Sequence, residues 1–181
     1  YKSLDNGDNW ELVGNYPLHL TPRDVKINNS NHIFTATTEG IYYSTDNGQS
    51  WNQSISGFAN IEFWCITINN EGHLFIGNEA GAVYRSQDNG MNWQEINTGN
   101  INAAVRTIMI SNNGDIFYGT RGDGVYRSED DGGSWQQINT NLSNLTVRDL
   151  NENNNGEIFV ATEAGIFRSS DHGNNWEELD T

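Results

Sequence analysis

Three arginines and a tryptophan occupy one register of this 181-residue sequence. Arg23, Trp64, Arg106 and Arg148 each lie 13 residues after another tryptophan, namely Trp10, Trp51, Trp93 and Trp135. Arginines that converge can clamp a carboxylate through paired N–H···O bonds. The plainer alternative pairs each with a neighbouring acid such as Asp24 or Asp149, or closes it over one of the preceding tryptophans. Phe63 adjoins Trp64, and with Tyr16 and Phe58 these rings either stack on sugars or plug a channel mouth. Arg23, Trp64, Arg106, Arg148 and Phe63 are therefore the candidate ligand-binding residues, and no residue is read as catalytic.

A second set of acids, Asp5, Asp46, Asp88, Asp130 and Asp171, also shares one register. Five copies of one acid at distant points have no joint catalytic chemistry. They do not make calcium loops either, because the glutamate twelfth ligand and its spacing are absent. A structural role fits: the carboxylate accepts backbone N–H bonds in a tight turn, glycine takes positive φ, and a tryptophan packs the turn against the sheet. Arg85, Arg127 and Arg168 precede these turns and are expected to pair with acids along the same unit. His32 and His73 read as solvated turn residues, with no metal site. Arg121-Gly122-Asp123 reads as a coincidence of a Gly- and Asp-rich chain. Cys65, the single cysteine, permits no internal disulfide and no cysteine-built zinc site, and reads as a small buried apolar residue.

What positions these residues is a repeat of 41 to 42 residues. Ser3-Leu-Asp-Asn-Gly-Asp-Asn-Trp10 recurs as Ser44 to Trp51, Ser86 to Trp93, Ser128 to Trp135 and Ser169 to Trp176, always as Ser-x-Asp-x-Gly-x-x-Trp. Each unit holds four short apolar stretches, in the last unit Val147 to Asn151, Glu157 to Thr162, Gly165 to Ser169 and Asn175 to Leu179. Asn-Asn-Gly, Glu-Ala-Gly and Asp-His-Gly separate them at hairpin lengths. The pattern predicts four antiparallel strands per unit, A to D, and hence an all-β fold, a β-propeller of four-stranded blades. Phe34, Phe75, Phe117 and Phe159, beside Ile33, Leu74, Ile116 and Ile158, supply both faces of sheets packed between neighbours.

The expected units are 1–16, with strands C and D only, then 17–57, 58–99, 100–141 and 142–181. About four and one-third blades are present in a single propeller segment, which we read as an excerpt of a larger propeller. Strand parity puts the A–B and C–D turns on one rim and the B–C turns and D–A connections on the other, upper rim. The arginine and tryptophan column belongs to that upper rim, where variable loops on a rigid scaffold carry binding.

Composition narrows the partners. With 24 acidic and 9 basic residues, the net charge is 9 − 24 = −15, and only two residues are lysine. Nucleic acid and anionic membranes, which need clustered cations, are excluded as partners. Apolar runs are far shorter than the roughly 20 residues that cross a bilayer, so no membrane insertion is expected. Asparagine, 28 of 181 residues, favours turns over helix interiors.

The octapeptide resembles the Asp-box, or bacterial neuraminidase repeat, of sialidases, other glycoside hydrolases, sortilin-type receptors and exported bacterial propellers. Gly156-Glu-Ile-Phe-Val-Ala-Thr162 with Gly165-Ile-Phe-Arg-Ser169 is similar to the exported Bacteroidetes-type propellers. The resemblance implies blade structure and a secreted or cell-surface, extracellular or cell-envelope setting. It does not choose between enzymes and binding modules. Sialidases hold an anionic sugar with three arginines, but their tyrosine nucleophile, its glutamate partner, the acid/base aspartate and the Arg-Ile-Pro motif find no match here. We expect a non-catalytic scaffold or binding module that takes a protein or glycan, needs no cofactor and joins adjoining blades of a longer chain. The alternative is part of a sialidase-like or glucan-degrading glycoside hydrolase.

Overall fold

The computed structural model describes residues 1–17, 19–54, 61–96 and 103–179. Phe58, one of the aromatic candidates, lies outside them, as do parts of three D–A connections. The described strands form four antiparallel sheets, each in the order A-B-C-D. The first holds β1 (Pro22–Ile27), β2 (Ile33–Thr37), β3 (Gly40–Ser44) and β4 (Asn52–Gln53). The second holds β5 (Phe63–Ile68), β6 (Leu74–Asn78), β7 (Val83–Ser86) and β8 (Gln94–Ile96). The third holds β9 (Val105–Ile110), β10 (Ile116–Thr120), β11 (Val125–Ser128) and β12 (Gln136–Gln137), and the fourth β13 (Val147–Glu152), β14 (Ile158–Thr162), β15 (Ile166–Ser169) and β16 (Glu177–Glu178). The A strands β1, β5, β9 and β13 pack side by side in that order. This is the all-β propeller that the repeat predicts. Before it, Lys2 pairs with Glu11 as the remnant of a C–D hairpin around the first box.

Local sequence dictates the turns. In the A–B turns, the Oδ1 atoms of Asn28, Asn69 and Asn153 each accept two backbone N–H bonds from two and four residues on. Such an asparagine replaces backbone partners at the bend. In the boxes, Asn6, Asn47, Asn89, Asp131 and His172 take φ between 56° and 58°, each followed by a glycine at positive φ. Asparagine and aspartate tolerate that region better than most residues.

The core lies between blades rather than within them. Phe34, Ile41, Phe63 and Leu74 form one buried cluster across blades one and two, Phe75, Val83, Val105 and Tyr118 another, and Phe117, Val125, Val147 and Phe167 a third. Each fully buried side chain of this size stabilises the fold by about 1.5–3 kcal/mol.

Polar ligatures repeat at the junctions. Arg85 Nη1 donates to the Asp131 carbonyl at 3.0 Å and Arg127 Nη1 to the His172 carbonyl at 2.6 Å, so each reaches the box of the next blade. In return two of the box tryptophans reach back: Trp93 Nε1 donates to Ser54 Oγ at 2.8 Å and Trp176 Nε1 to the Ile138 carbonyl at 2.6 Å, whereas Trp51 Nε1 bonds its own Gly48 carbonyl. Arg85 corrects the expectation that these arginines pair with acids along their own blade, because it bonds the Asp131 carboxylate of the next blade. Arg127 and Arg168 do pair as expected with acids of their own blades, Arg127 with Glu129 and Arg168 with Glu177, both at 2.8 Å.

Candidate upper-rim site

Upper and lower rims separate as strand parity requires. The B–C turns bond to the starts of the A strands: Thr38 N to Thr21 O, Glu79 N to Glu62 O, Arg121 N to Ala104 O and Glu163 N to Thr146 O. All four column residues sit at this rim, and all four sit at a β-bulge. The ladder runs from Pro22 opposite Thr37 to Asp24 opposite Ala36, from Phe63 opposite Asn78 to Cys65 opposite Gly77, and equivalently in blades three and four. The residue left over is Arg23, Trp64, Arg106 or Arg148. A bulge bends its strand and re-aims the extra side chain, here toward the mouth of the channel between the A strands. Arg23, Trp64 and Arg106 line an open cavity of about 490 Å³ there.

Trp64 is the centre of a sandwich. The Arg23 guanidinium carbon lies 4.0 Å from its ring centroid and that of Arg106 3.5 Å. Its indole N–H donates to Glu79 Oε2 at 2.5 Å. Cations over tryptophan are held by about 0.5–2 kcal/mol each. Arg23 pairs with Glu62 at 2.5 Å, and Arg148 pairs with Glu163. The arginines therefore do not pair with Asp24 or Asp149, nor do they cover a box tryptophan. Asp24 instead accepts the Ile66 N–H of the next blade at 3.0 Å, and Asp149 accepts the Thr107 hydroxyl at 3.1 Å.

Arg106 differs from its equivalents. Among the described residues no carboxylate lies within ion-pair distance of it, and its buried Nε has no hydrogen-bond partner. Burial is the largest influence on its acidity and lowers its pKa; Glu79 opposes this, while the charges of Arg121 and Arg148 add to it. Arg121 was not singled out by register. Its backbone bonds Ala104 and bridges Thr146, which seats it between the starts of blades three and four. The one signal for it in the sequence was its place in a B–C turn.

Phe63 is a correction. It is 0% exposed, packed with Ile66 and Ile76, because the bulge at Trp64 leaves Phe63 and Cys65 both facing the interior. It offers no surface to a ligand. Tyr16 packs edge-on against Trp51 at 5.1 Å. Cys65 is buried as expected.

The box acids close their own turns. In every box the serine hydroxyl donates to the aspartate at 2.8 Å. The same carboxylate accepts the N–H of the residue four positions on, at 2.7–2.9 Å. Side-chain and backbone hydrogen bonds from Asn9 hold Asp5 down at a pKa of about 2, and those from Ser50 do the same for Asp46. Among the described residues no group of three His, Cys, Asp or Glu side chains is placed to hold a metal.

A four-stranded blade repeated around a channel, with an Asp-box in each C–D turn, defines a BNR-type β-propeller, and a BNR/Asp-box repeat model matches residues 42–53. The chain belongs to the DUF6242 beta propeller domain family, whose model matches residues 61–181. No curated protein matches it. Among solved structures it is similar to the extracellular domain of the hybrid two component system BT3049 from B. thetaiotaomicron, with 18% identity, a TM-score of 0.79, and coverage of 97% of this chain and 25% of that one. It is also similar to the GH74 enzyme of Niastella koreensis, at 19% identity and TM-score 0.74, covering 85% of this chain and 28% of that one. YCF48 from Cyanidioschyzon merolae matches at 15% identity and TM-score 0.69, covering 92% and 59%. These likenesses show the fold. The chain spans about a fifth to a quarter of the Bacteroides ectodomains it matches.

Proposed function

We propose that this propeller is a non-catalytic binding module of an exported or cell-surface protein, and that its upper rim takes an acidic protein partner. The observation that carries this reading is a cationic spot on a chain of net charge −15. Four of the nine basic residues, Arg23, Arg106, Arg121 and Arg148, gather at one mouth, and Arg106 has no ion pair among the described residues. A guanidinium without an ion pair, set on an otherwise acidic surface, orients an anionic ligand.

Between protein and glycan, the geometry favours protein. A sugar ring needs an open aromatic face, and both faces of Trp64 are already covered by guanidinium groups. Phe63 is buried. A carboxylate side chain of a partner needs only the arginine N–H groups. The extracellular setting of the similar Bacteroides sensor domains, and the YCF48 structure described as bound to D1 peptide, support an exported peptide-binding role. The glycoside hydrolase alternative draws on the GH74 likeness alone. Glu62, Glu79 and Glu163, the acids nearest the column, are each engaged by an arginine or by the indole.

Binding of fluorescent oligoglutamate and oligogalacturonate to the purified chain, followed by anisotropy, tests this. Oligoglutamate is expected to bind more tightly, and Arg106→Ala to weaken it about tenfold or more, the loss of one charge-assisted hydrogen bond. Asp130→Ala is expected to leave affinity unchanged. Equal binding by Arg106→Ala, or turnover of an aryl glycoside that vanishes with one upper-rim carboxylate, would overturn the reading.

A further inference from the structure

One register of the B–C turns decides what the column residues of blades two to four meet. Fifteen residues after Trp64 and after Arg148 stand Glu79 and Glu163, and each bonds the column residue of its own blade, Glu79 the Trp64 indole and Glu163 the Arg148 guanidinium. Fifteen residues after Arg106 stands Arg121. The same backbone bond places all three, since Glu79 N, Arg121 N and Glu163 N donate to Glu62 O, Ala104 O and Thr146 O. Blade three thus has a cation where its neighbours have an acid, and Arg106 leans on the Trp64 ring instead.

The Arg121 turn is held firmly. Gly122 N and Gly124 N both donate to the Leu145 carbonyl, at 3.0 and 2.9 Å, and Arg121 pairs with Thr146. Asp123, the nearest acid along the chain, is committed elsewhere: its carboxylate accepts the Tyr126 hydroxyl at 2.8 Å and the Gln137 amide at 3.3 Å. Arg121 is exposed, and among the described residues neither it nor Arg106 has an ion pair. Two like charges in one blade repel, and a carboxylate shared by both guanidinium groups relieves that repulsion. We propose that blade three is completed from outside, by a carboxylate of the acidic partner that seats between Arg106 and Arg121 at the register Glu79 and Glu163 fill in blades two and four. The proposal rests on the acidic-partner reading of this rim and narrows it to one blade. Arg121 is then the specificity-determining residue, because an acid at its register would occupy Arg106 from within.

Anisotropy of labelled oligoglutamate on the whole chain tests this through charge swaps at the register. Glutamate already stands there in blades two and four, so Arg121→Glu is expected to keep the parent's circular dichroism and to lose affinity about tenfold or more. Arg121→Gln, which removes the cation without supplying an internal acid, is expected to lose less. Glu163→Arg is expected to free Arg148, build a second like-charged pair in blade four and tighten binding about threefold or more. Glu39→Arg, the same change of charge one position off the register in blade one, is expected to tighten it less. Parent-like binding by Arg121→Glu, equal loss from the two Arg121 variants, or equal gain from the two charge reversals would overturn the proposal while Arg106→Ala still weakens binding. Should Arg106→Ala itself bind like the parent, the acidic-partner reading falls and this proposal with it. If Arg121→Glu fails to fold, the comparison of Glu163→Arg with Glu39→Arg decides alone.

Discussion

At the scale of single residues, the aspartates that look most like catalysts are consumed by geometry. Asp88 accepts the Ser86 hydroxyl, the Asn92 N–H and the Asn92 side-chain amide at 2.7–2.8 Å. Asp88→Ala should therefore lower stability by about 1–2 kcal/mol in chemical denaturation, with no effect on ligand affinity. A pH dependence follows from Asp5 and Asp46. Their folded pKa of about 2 lies below the unfolded value of about 3.9, so the folded state binds fewer protons. Their contribution is full above about pH 4 and is lost as pH falls toward 2. A denaturation midpoint that is flat across that window would contradict the hydrogen bonds assigned to the boxes.

At the scale of elements, tight approach between blades depends on small residues in strand B. A Cβ on Gly77 would overlap Val105 Cγ1 of the next blade and stand 2.9 Å from Cys65 Sγ, and one on Gly119 would overlap Val147. Gly77→Ala should cost about 1–3 kcal/mol by overpacking, readable as a lower melting temperature. Gly114→Ala, where nothing lies within 4 Å, is the control for glycine removal, and its positive φ makes it a demanding one. The strands themselves were legible in sequence because Asn, Gly and Asp punctuate period-two apolar runs at a fixed repeat. The bulges were not. A bulge is a mismatch between two strands, and the run Phe63-Trp64-Cys65-Ile66 shows it only in that Phe63 and Ile66, three residues apart, face one junction while Cys65 faces the other. Counting Phe63 into the D–A connection made it an exposed ring, whereas it opens β5 and is buried. The register of Arg23, Trp64, Arg106 and Arg148 was visible, and strand parity placed Glu62, Glu79 and Glu163 on the same rim; which acid meets which column residue was not visible, since they come from different turns and connections.

At the scale of the whole molecule, the charge is out of balance with the packing. Fifteen net negative charges repel one another on a fold whose core lies in the junctions between sheets. Screening is effective beyond about 10 Å at 0.1 M salt, so sodium chloride should raise the melting temperature, most steeply between low and moderate ionic strength. An unchanged or falling melting temperature would mean that local ion pairs such as Arg23–Glu62 outweigh the general repulsion.

The bulge on every A strand has one more consequence. Its extra residue owes nothing to the ladder and lies outside the apolar junctions, so strand pairing sets no demand on its identity. One tryptophan and three arginines already share that position without disturbing the strands on either side. Each blade thus contributes one interchangeable letter at the channel mouth. A selection experiment that randomises positions 23, 64, 106 and 148 together could rewrite what the propeller recognises while leaving its architecture untouched.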